Sequence, residues 1–187
     1  ENPNQPSLIN WKEIKVTLYP HGEPIPADVN QHEIGDCSFC SVMSSMSYLY
    51  PDYIKHIITD NKNGTYTVKL YDPQGEPVDV TISSKFLCNT YGAIGQVTGK
   101  DYVPTWSTVL EKAVMKWETL YDINSLWGIG TEFASPILTG DGRSFAFYPN
   151  TLWNSEWKLA VDWVLGNGMI SIGGFTVGGL QCGNLTS

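Results

Sequence analysis

A cysteine stands where a polar loop gives way to an amphipathic helix, and this junction constrains the fold more than any other feature of the chain. After Cys37 the larger apolar side chains recur at spacings of three and four residues, at Phe39, Val42, Met43, Met46 and Leu49. This period predicts a helix over residues 37–49 with Cys37 in its first turn. There the unpaired N–H groups and the positive end of the macrodipole stabilise a thiolate. Gln31, six residues earlier, is placed to donate its side-chain amide to the oxyanion of an acyl-transfer intermediate.

The segment around this cysteine also follows a family pattern. Residues 28–37, D-V-N-Q-H-E-I-G-D-C, resemble the D-x-x-Q-G-x-x-G-D-C segment that carries the nucleophile of calpain-family cysteine proteases. Further resemblances follow in the family's order. Residues 63–72 and 78–82 resemble the calpain hairpin. Residues 106–113 (W-S-T-V-L-E-K-A) resemble the W-x-x-L-L-E-K-A helix, and residues 138–140 resemble a later T-G turn. These collinear matches, which span residues 28–175, are far more specific than any one motif.

The resemblance implies an α+β chain with the papain-like cysteine proteinase fold of the calpain-type core, present as its helical nucleophile-bearing subdomain with a β-hairpin. It divides the chain into an extended Pro-rich lead-in over 1–27, the subdomain over 28–175 and a Gly-rich crossover over 176–187. The implied activity is that of a cysteine endopeptidase acting on a protein or peptide substrate. Cys37 attacks the peptide carbonyl to form a thioester, and Gln31 holds the oxyanion together with the Cys37 backbone N–H.

The chain departs from the family pattern near the nucleophile and in its second half. Ser38 replaces the tryptophan that usually follows the nucleophile, and His32 replaces the glycine after the oxyanion glutamine. The family draws its catalytic histidine and orienting asparagine from G-H-A-Y-like and N-P-W-G-like segments, and this sequence holds neither; its last recognisable match is residues 163–172. We therefore expect a half-site, with both residues supplied by a second polypeptide or by a C-terminal segment cleaved near Ser187.

The chain's own histidines are poor substitutes for the missing base. His32 lies five residues before Cys37 in the same loop, but no orienting partner adjoins it. His21 belongs to a loop, and His56 is expected to cap a helix or face solvent. A different class of function stays open, since a calpain-like module without a histidine can bind or regulate without cleaving.

Asp28 is a candidate calcium ligand by the same resemblance, because calpains carry a calcium-binding aspartate nine residues before the nucleophile. A carboxylate with loop carbonyls suits this cation. The family's companion glutamate is replaced near residues 103–105, where Asp101 is the nearest carboxylate. The alternative is that Asp28 caps a turn. The thiol chemistry itself requires no cofactor.

The cysteines allow two other kinds of site. Cys37 and Cys40 form a C-x-x-C pair at a helix start, as redox motifs do. A thioredoxin-like domain, however, needs an apolar strand before the motif, and residues 28–36 are a polar loop. Zinc is disfavoured because Cys88 and Cys182 are isolated and no second paired-ligand motif follows. Cys40 is expected to pack on the buried side of the helix.

Composition excludes two kinds of partner. A net charge of −8, with only 11 lysines and arginines, argues against nucleic acid, because phosphate binding needs clustered basic residues. The chain has no apolar run of about 18 residues, the length that predicts a membrane span. The polar, Pro-rich start at Glu1 favours a secreted or cell-envelope location over a cytoplasmic one, although a trimmed end explains it equally well.

Local patterns predict the remaining elements. Apolar residues suggest a strand over 15–19, and Pro51 at a first-turn position begins a short helix. Residues 65–71 alternate with period two and meet residues 77–82 across Asp72-Pro73-Gln74-Gly75, a type I turn, which predicts a hairpin.

Two further helices are expected in the second half. One carries an apolar stripe from Trp106 to Leu120, and the other covers residues 159–164 and ends at Gly166. The tryptophans of both are expected to pack in the core.

Overall fold

The fold is described for residues 8–123, 131–142 and 153–166, in a computed structural model. Within these ranges it combines helices with small antiparallel sheets, the expected α+β arrangement. The helices are α1 (Cys37–Leu49), α2 (Pro51–Ile57), α3 (Trp106–Leu120), α4 (Thr131–Thr139) and α5 (Asn154–Gly166). The strands are β1 (Leu8–Glu13), β2 (Ile58–Asp60), β3 (Thr65–Tyr71), β4 (Pro77–Ser83) and β5 (Lys85–Asn89).

The strands form two sheets. β1 pairs with β5, and the second sheet has the order β2-β3-β4, all neighbours antiparallel. At the turn between β3 and β4 the Gly75 N–H donates to the Asp72 carbonyl oxygen at 2.9 Å, and Gly75 takes a φ of +85°. A type I turn followed by a left-handed glycine is a common hairpin connection. The resulting hairpin directs alternate apolar side chains into the core, namely Val68, Leu70, Val80 and Ile82.

The prediction of a strand over residues 15–19 is wrong. In the described residues the first strand is β1, which ends at Glu13, before this segment. The backbone after β1 makes single hydrogen bonds to separate segments instead of a ladder: Ile14 N–H donates to Ser84 O (3.0 Å) and Thr17 N–H to Pro104 O (3.1 Å). Its apolar side chains Ile14, Val16 and Leu18 pack against the core. The apolar residues of this segment therefore reflect its packing against the core, but no strand of the described residues pairs with it.

The two helices that flank the site form where their apolar periods predict them. α1 buries Phe39, Val42, Met43 and Met46. α3 is buried from Trp106 to Met115, and Thr105 caps it by accepting the Ser107 N–H at 3.4 Å. The Ser107 hydroxyl in turn donates to the Asp28 carbonyl oxygen. This contact holds the start of α3 against the loop that leads to α1.

The tryptophans divide into a buried and an exposed group. Trp106 and Trp117 lie in the core as expected, but the expectation is wrong for α5, where Trp163 is 50% and Leu159 is 69% exposed. Residues 167–172 of the last family match and the Gly-rich crossover over 176–187 lie outside the described residues. Among the helices of the described ranges, none reaches the length and hydropathy that a bilayer span requires.

Candidate active site

Cys37 occupies the first turn of α1 and is exposed. Asp36, directly before it, is the N-cap residue, and its carbonyl oxygen accepts the Cys40 N–H at 3.0 Å. Cys40 and Cys88 are both buried. Of the cysteines that the structure describes, Cys37 alone combines exposure with a helix start, where an anion is stabilised.

Gln31 lies in the loop before α1, with its side-chain amide turned towards Asp36. Its Nε2 donates to the Ile34 carbonyl oxygen at 2.8 Å and to Asp36 Oδ1 at 3.3 Å. The structure thus brings Gln31 to the residue that precedes the nucleophile. Both amide protons are engaged, so donation to an oxyanion requires the longer bond, to Asp36, to give way.

The loop itself is fixed by backbone pairing. Asn30 N–H donates to Thr98 O at 2.8 Å, the reverse bond from Thr98 N–H is 3.1 Å, and Glu33 N–H donates to Gly95 O at 3.0 Å. These bonds cross between segments far apart in the sequence. They fix the position of the loop that carries Gln31 before Cys37.

A buried carboxyl pair lies behind the nucleophile, and the sequence reasoning missed it. Asp36 and Glu111, the latter on α3, are both fully buried. Burial raises the pKa of Asp36 to about 6. Burial, and then the negative charge of Asp36, raises the pKa of Glu111 well above its ordinary value. The one available signal was that both residues stand inside the quoted G-D-C and L-E-K-A segments.

Cys40 is a buried thiol that does not share the chemistry of Cys37. Its Sγ donates to Asp36 Oδ1 at 3.4 Å. Burial, and then the negative charge of Asp36, raises the pKa of this thiol. A redox pair needs a second accessible thiol, so the geometry does not fit the C-x-x-C interpretation. Cys40 packs on the buried side of α1 as expected.

The structure describes all three histidines and gives the contacts or exposure of each. His32 stacks on Tyr102 with ring centroids 4.8 Å apart, and its Nε2 lies 2.8 Å from Thr98 Oγ1. Partial burial lowers the pKa of His32, against the opposing effect of Glu33. His56 is exposed in the last turn of α2, and His21 lies near Asp28.

Asp28 is buried, and its carboxylate is engaged in hydrogen bonds. Oδ2 accepts the Trp106 indole N–H at 2.8 Å and the Ile25 N–H at 3.3 Å. His21 Nε2 lies 3.8 Å from Oδ1. Calcium needs six to eight oxygen ligands, whereas here N–H donors point at the carboxylate. In the described part of the chain no three His, Cys, Asp or Glu side chains come together as metal ligands would. A calcium role of Asp28 stays a prediction.

Comparison with known proteins agrees with the motifs. A family model described as calpain family cysteine protease matches residues 3–149. The calpain-type cysteine protease DEK1 of Arabidopsis thaliana is 31% identical over 104 residues, which cover 54% of this chain and 5% of that protein. Calpain-type cysteine protease ADL1 of Oryza sativa subsp. japonica is 30% identical over 116 residues, with shares of 59% and 5%. DEK1 of Zea mays is 30% identical over 122 residues, with the same shares. The match thus spans about a twentieth of each relative's length.

Proposed function

Because the chain belongs to the calpain family of cysteine proteases, we propose that it is the nucleophile-bearing half of a papain-like, calpain-type cysteine endopeptidase core. The observation that carries the proposal is the exposed Cys37 thiol at the start of α1, next to a loop that holds the Gln31 amide against Asp36. A nucleophile at a helix start with an amide donor beside it is the arrangement that acyl transfer requires.

The proposed reaction is peptide-bond hydrolysis through a thioester. The Cys37 thiolate adds to the peptide carbonyl carbon, and the carbonyl electron pair moves to oxygen. The Gln31 amide and the Cys37 backbone N–H donate to this oxyanion. When it collapses, the C–N bond breaks and a histidinium protonates the departing amine. Water then adds to the thioester and releases the carboxylic acid and the thiol.

The histidine and its orienting asparagine are proposed to come from a second polypeptide or from a cleaved continuation of this chain. The support is positional, because His21 and His32 have partners other than Cys37 and His56 is exposed on α2. Without a positioned imidazolium the amine is not protonated, and the tetrahedral intermediate returns to reactants.

A non-catalytic binding or regulatory module is the second candidate. Two observations favour it: His21 and His32 have partners other than Cys37, and the Gln31 amide has both protons bonded within the protein. Protein or peptide binding is common to both candidates. The thiol chemistry requires no cofactor, and calcium at Asp28 stays a possible addition to either candidate.

An aromatic ester tests the nucleophile without the missing histidine. Nitrophenolate leaves without being protonated, so p-nitrophenyl acetate needs only a thiolate and an oxyanion site. We expect one acetyl group on Cys37 by peptide mass, with Cys40 and Cys88 in the same sample as internal controls. Cys37→Ser should abolish acylation. A folded chain that is not acylated at Cys37 would favour the binding module.

Peptide substrates test the half-site. We expect the chain of 20.7 kDa to leave peptides intact when it is alone, although it reacts with the ester. Gel filtration and intact mass of the molecule from its source should then reveal a second polypeptide. A monomeric chain of this mass with full peptidase activity would contradict the half-site and return His32 to consideration as the base.

A further inference from the structure

One carboxylate oxygen beside the nucleophile lacks an ordinary hydrogen-bond donor. Oδ1 of Asp36 accepts from Gln31 Nε2 at 3.3 Å and from Cys40 Sγ at 3.4 Å. Oδ2 is buried, and no N–H or hydroxyl donor in the described part of the chain reaches it. An unpaired carboxylate oxygen in a protein interior is costly, so a donor for this atom is expected.

Glu111 is the side chain that faces Asp36 from α3. Its Oε2 accepts the Gln96 side-chain amide at 3.2 Å and the Val97 N–H at 3.0 Å. Its Oε1 has only a longer contact with Val97 N, at 3.2 Å. Each carboxyl group affects the pKa of the other through a side-chain hydrogen bond, and the negative charge of Asp36 also raises the pKa of Glu111. Two ionised carboxylates have no proton to share, so a bond between them requires that one is protonated.

The surroundings assign the proton to Glu111. The donors Gln31 and Cys40 favour the ionised form of Asp36. The titratable groups that face the pair from α1 are Cys37 and Cys40, and Cys40 is a neutral thiol. Of the two Glu111 oxygens, Oε1 has the fewer donors. It is therefore the atom that can carry a proton towards Asp36 Oδ2.

We propose that Glu111 is a positioning residue of the nucleophile, whose carboxylic acid donates a hydrogen bond to Asp36 Oδ2. The Asp36 carboxylate, held in this way, fixes the first turn of α1 through Cys40 and keeps the Gln31 amide in place until a substrate oxyanion replaces Asp36 as its acceptor. Glu111 does not touch the reacting atoms and acts only through Asp36. The positioning role rests on the proposed function, because the orientation of Gln31 matters only if Cys37 attacks a carbonyl.

Infrared spectroscopy of the full chain at neutral pH tests the proton directly. A carboxylic acid has a C=O stretching band that an ionised carboxylate lacks. We expect this band in the parent and its loss in Glu111→Gln. The matched control is Glu76→Gln, at an exposed glutamate next to β4, which should keep the band. Identical spectra of the parent and Glu111→Gln would overturn the proposal.

The positioning role is tested by the ratio of two rates at Cys37. Acylation by p-nitrophenyl acetate forms an oxyanion, whereas alkylation by iodoacetamide does not, so the ratio isolates the oxyanion donors. We expect Glu111→Ala to lower the ratio roughly tenfold or more, as misplaced catalytic groups do. Glu111→Gln can donate its amide to Asp36 Oδ2 and should restore much of the ratio. Equal ratios in all three proteins would overturn the positioning role, and if Glu111→Ala does not fold, the infrared result decides.

Gln31→Ala separates this inference from the proposed function. If Gln31→Ala lowers the ratio and Glu111→Ala does not, the oxyanion role stands and the positioning role of Glu111 is overturned. If neither variant changes the ratio, the oxyanion role of Gln31 in the proposed function fails as well. The infrared band then still decides whether Glu111 is protonated.

Discussion

The indole N–H of Trp106 donates to the buried carboxylate of Asp28 at 2.8 Å. This bond joins the first residue of α3 to the turn at the start of the loop that leads to α1. Because the same oxygen also accepts the Ile25 N–H, Asp28 serves as a hydrogen-bond acceptor at the point where two segments distant in sequence meet.

Asp28→Ala should therefore destabilise the fold by about 1–3 kcal/mol, because it leaves the buried Trp106 indole N–H and the part-buried Ile25 N–H without an acceptor. Asp28→Asn keeps an acceptor oxygen and should lose less. The measurement is urea unfolding with calcium or with a chelator, and Asp79→Ala, at an exposed aspartate of β4, is the control. A parent whose stability rises with calcium, together with an Asp28→Asn variant that does not respond, would restore the calcium interpretation.

Cys37 should be the first thiol to react with substoichiometric iodoacetamide. It is exposed at a helix start, while Cys40 and Cys88 are buried and burial raises the pKa of both thiols. Peptide mass mapping of the adducts measures the selectivity, and Cys37→Ser should remove the early adduct. Earlier modification of Cys88 or Cys182 would contradict the assignment of Cys37 as the nucleophile.

Gln31→Ala should lower the rate of ester acylation at Cys37 by roughly tenfold to a thousandfold, as the loss of one oxyanion donor does. Alkylation of Cys37 should change little, since that reaction forms no oxyanion. Gln74→Ala, at an exposed glutamine of the hairpin turn, is the matched control. An acylation rate equal to that of the parent would rule out the oxyanion role.

The carboxyl pair should make stability fall as the pH rises. The folded pKa of Glu111 is well above its ordinary value of 4.5, and that of Asp36 is about 6 against 3.8. The folded chain thus retains protons that the unfolded chain releases. At a pH above the ordinary pKa values this release favours unfolding, so the free energy of unfolding falls. Urea unfolding between about pH 4 and pH 7 should show a flatter profile for Glu111→Gln than for the parent or Glu76→Gln. A profile with the same slope in all three proteins would contradict the shared proton.

Gly140→Ala should destabilise the fold by about 1 kcal/mol or more. Gly140 has a φ of +71°, and a Cβ there would lie 2.5 Å from Tyr71 Cδ1 on β3. Gly142→Ala is the matched control, because a Cβ at that position meets no atom within 4 Å. Thermal unfolding compares the two, and equal midpoints would show that the turn after α4 does not need glycine.

Local features of this chain were readable from the sequence because they depend on neighbours along it. The three-and-four spacing after Cys37 and the stripe from Trp106 predicted α1 and α3, and a turn sequence predicted the loop between β3 and β4. Cys37 at a helix start and Gln31 in the preceding loop follow from the same local reasoning. Their roles in catalysis stay predictions.

Contacts between distant segments were decided by the tertiary structure alone. Instead of the strand expected at 15–19, the described residues form β1, which pairs with β5. The orientation of His32 depends on Thr98 and Tyr102. The surroundings of Asp28 depend on Trp106, and the raised pKa of Glu111 depends on burial and on Asp36, a residue 75 positions earlier in the sequence. A sequence period states which side of an element is buried, but the free energy of a buried polar group depends on which donor or acceptor the fold brings to it.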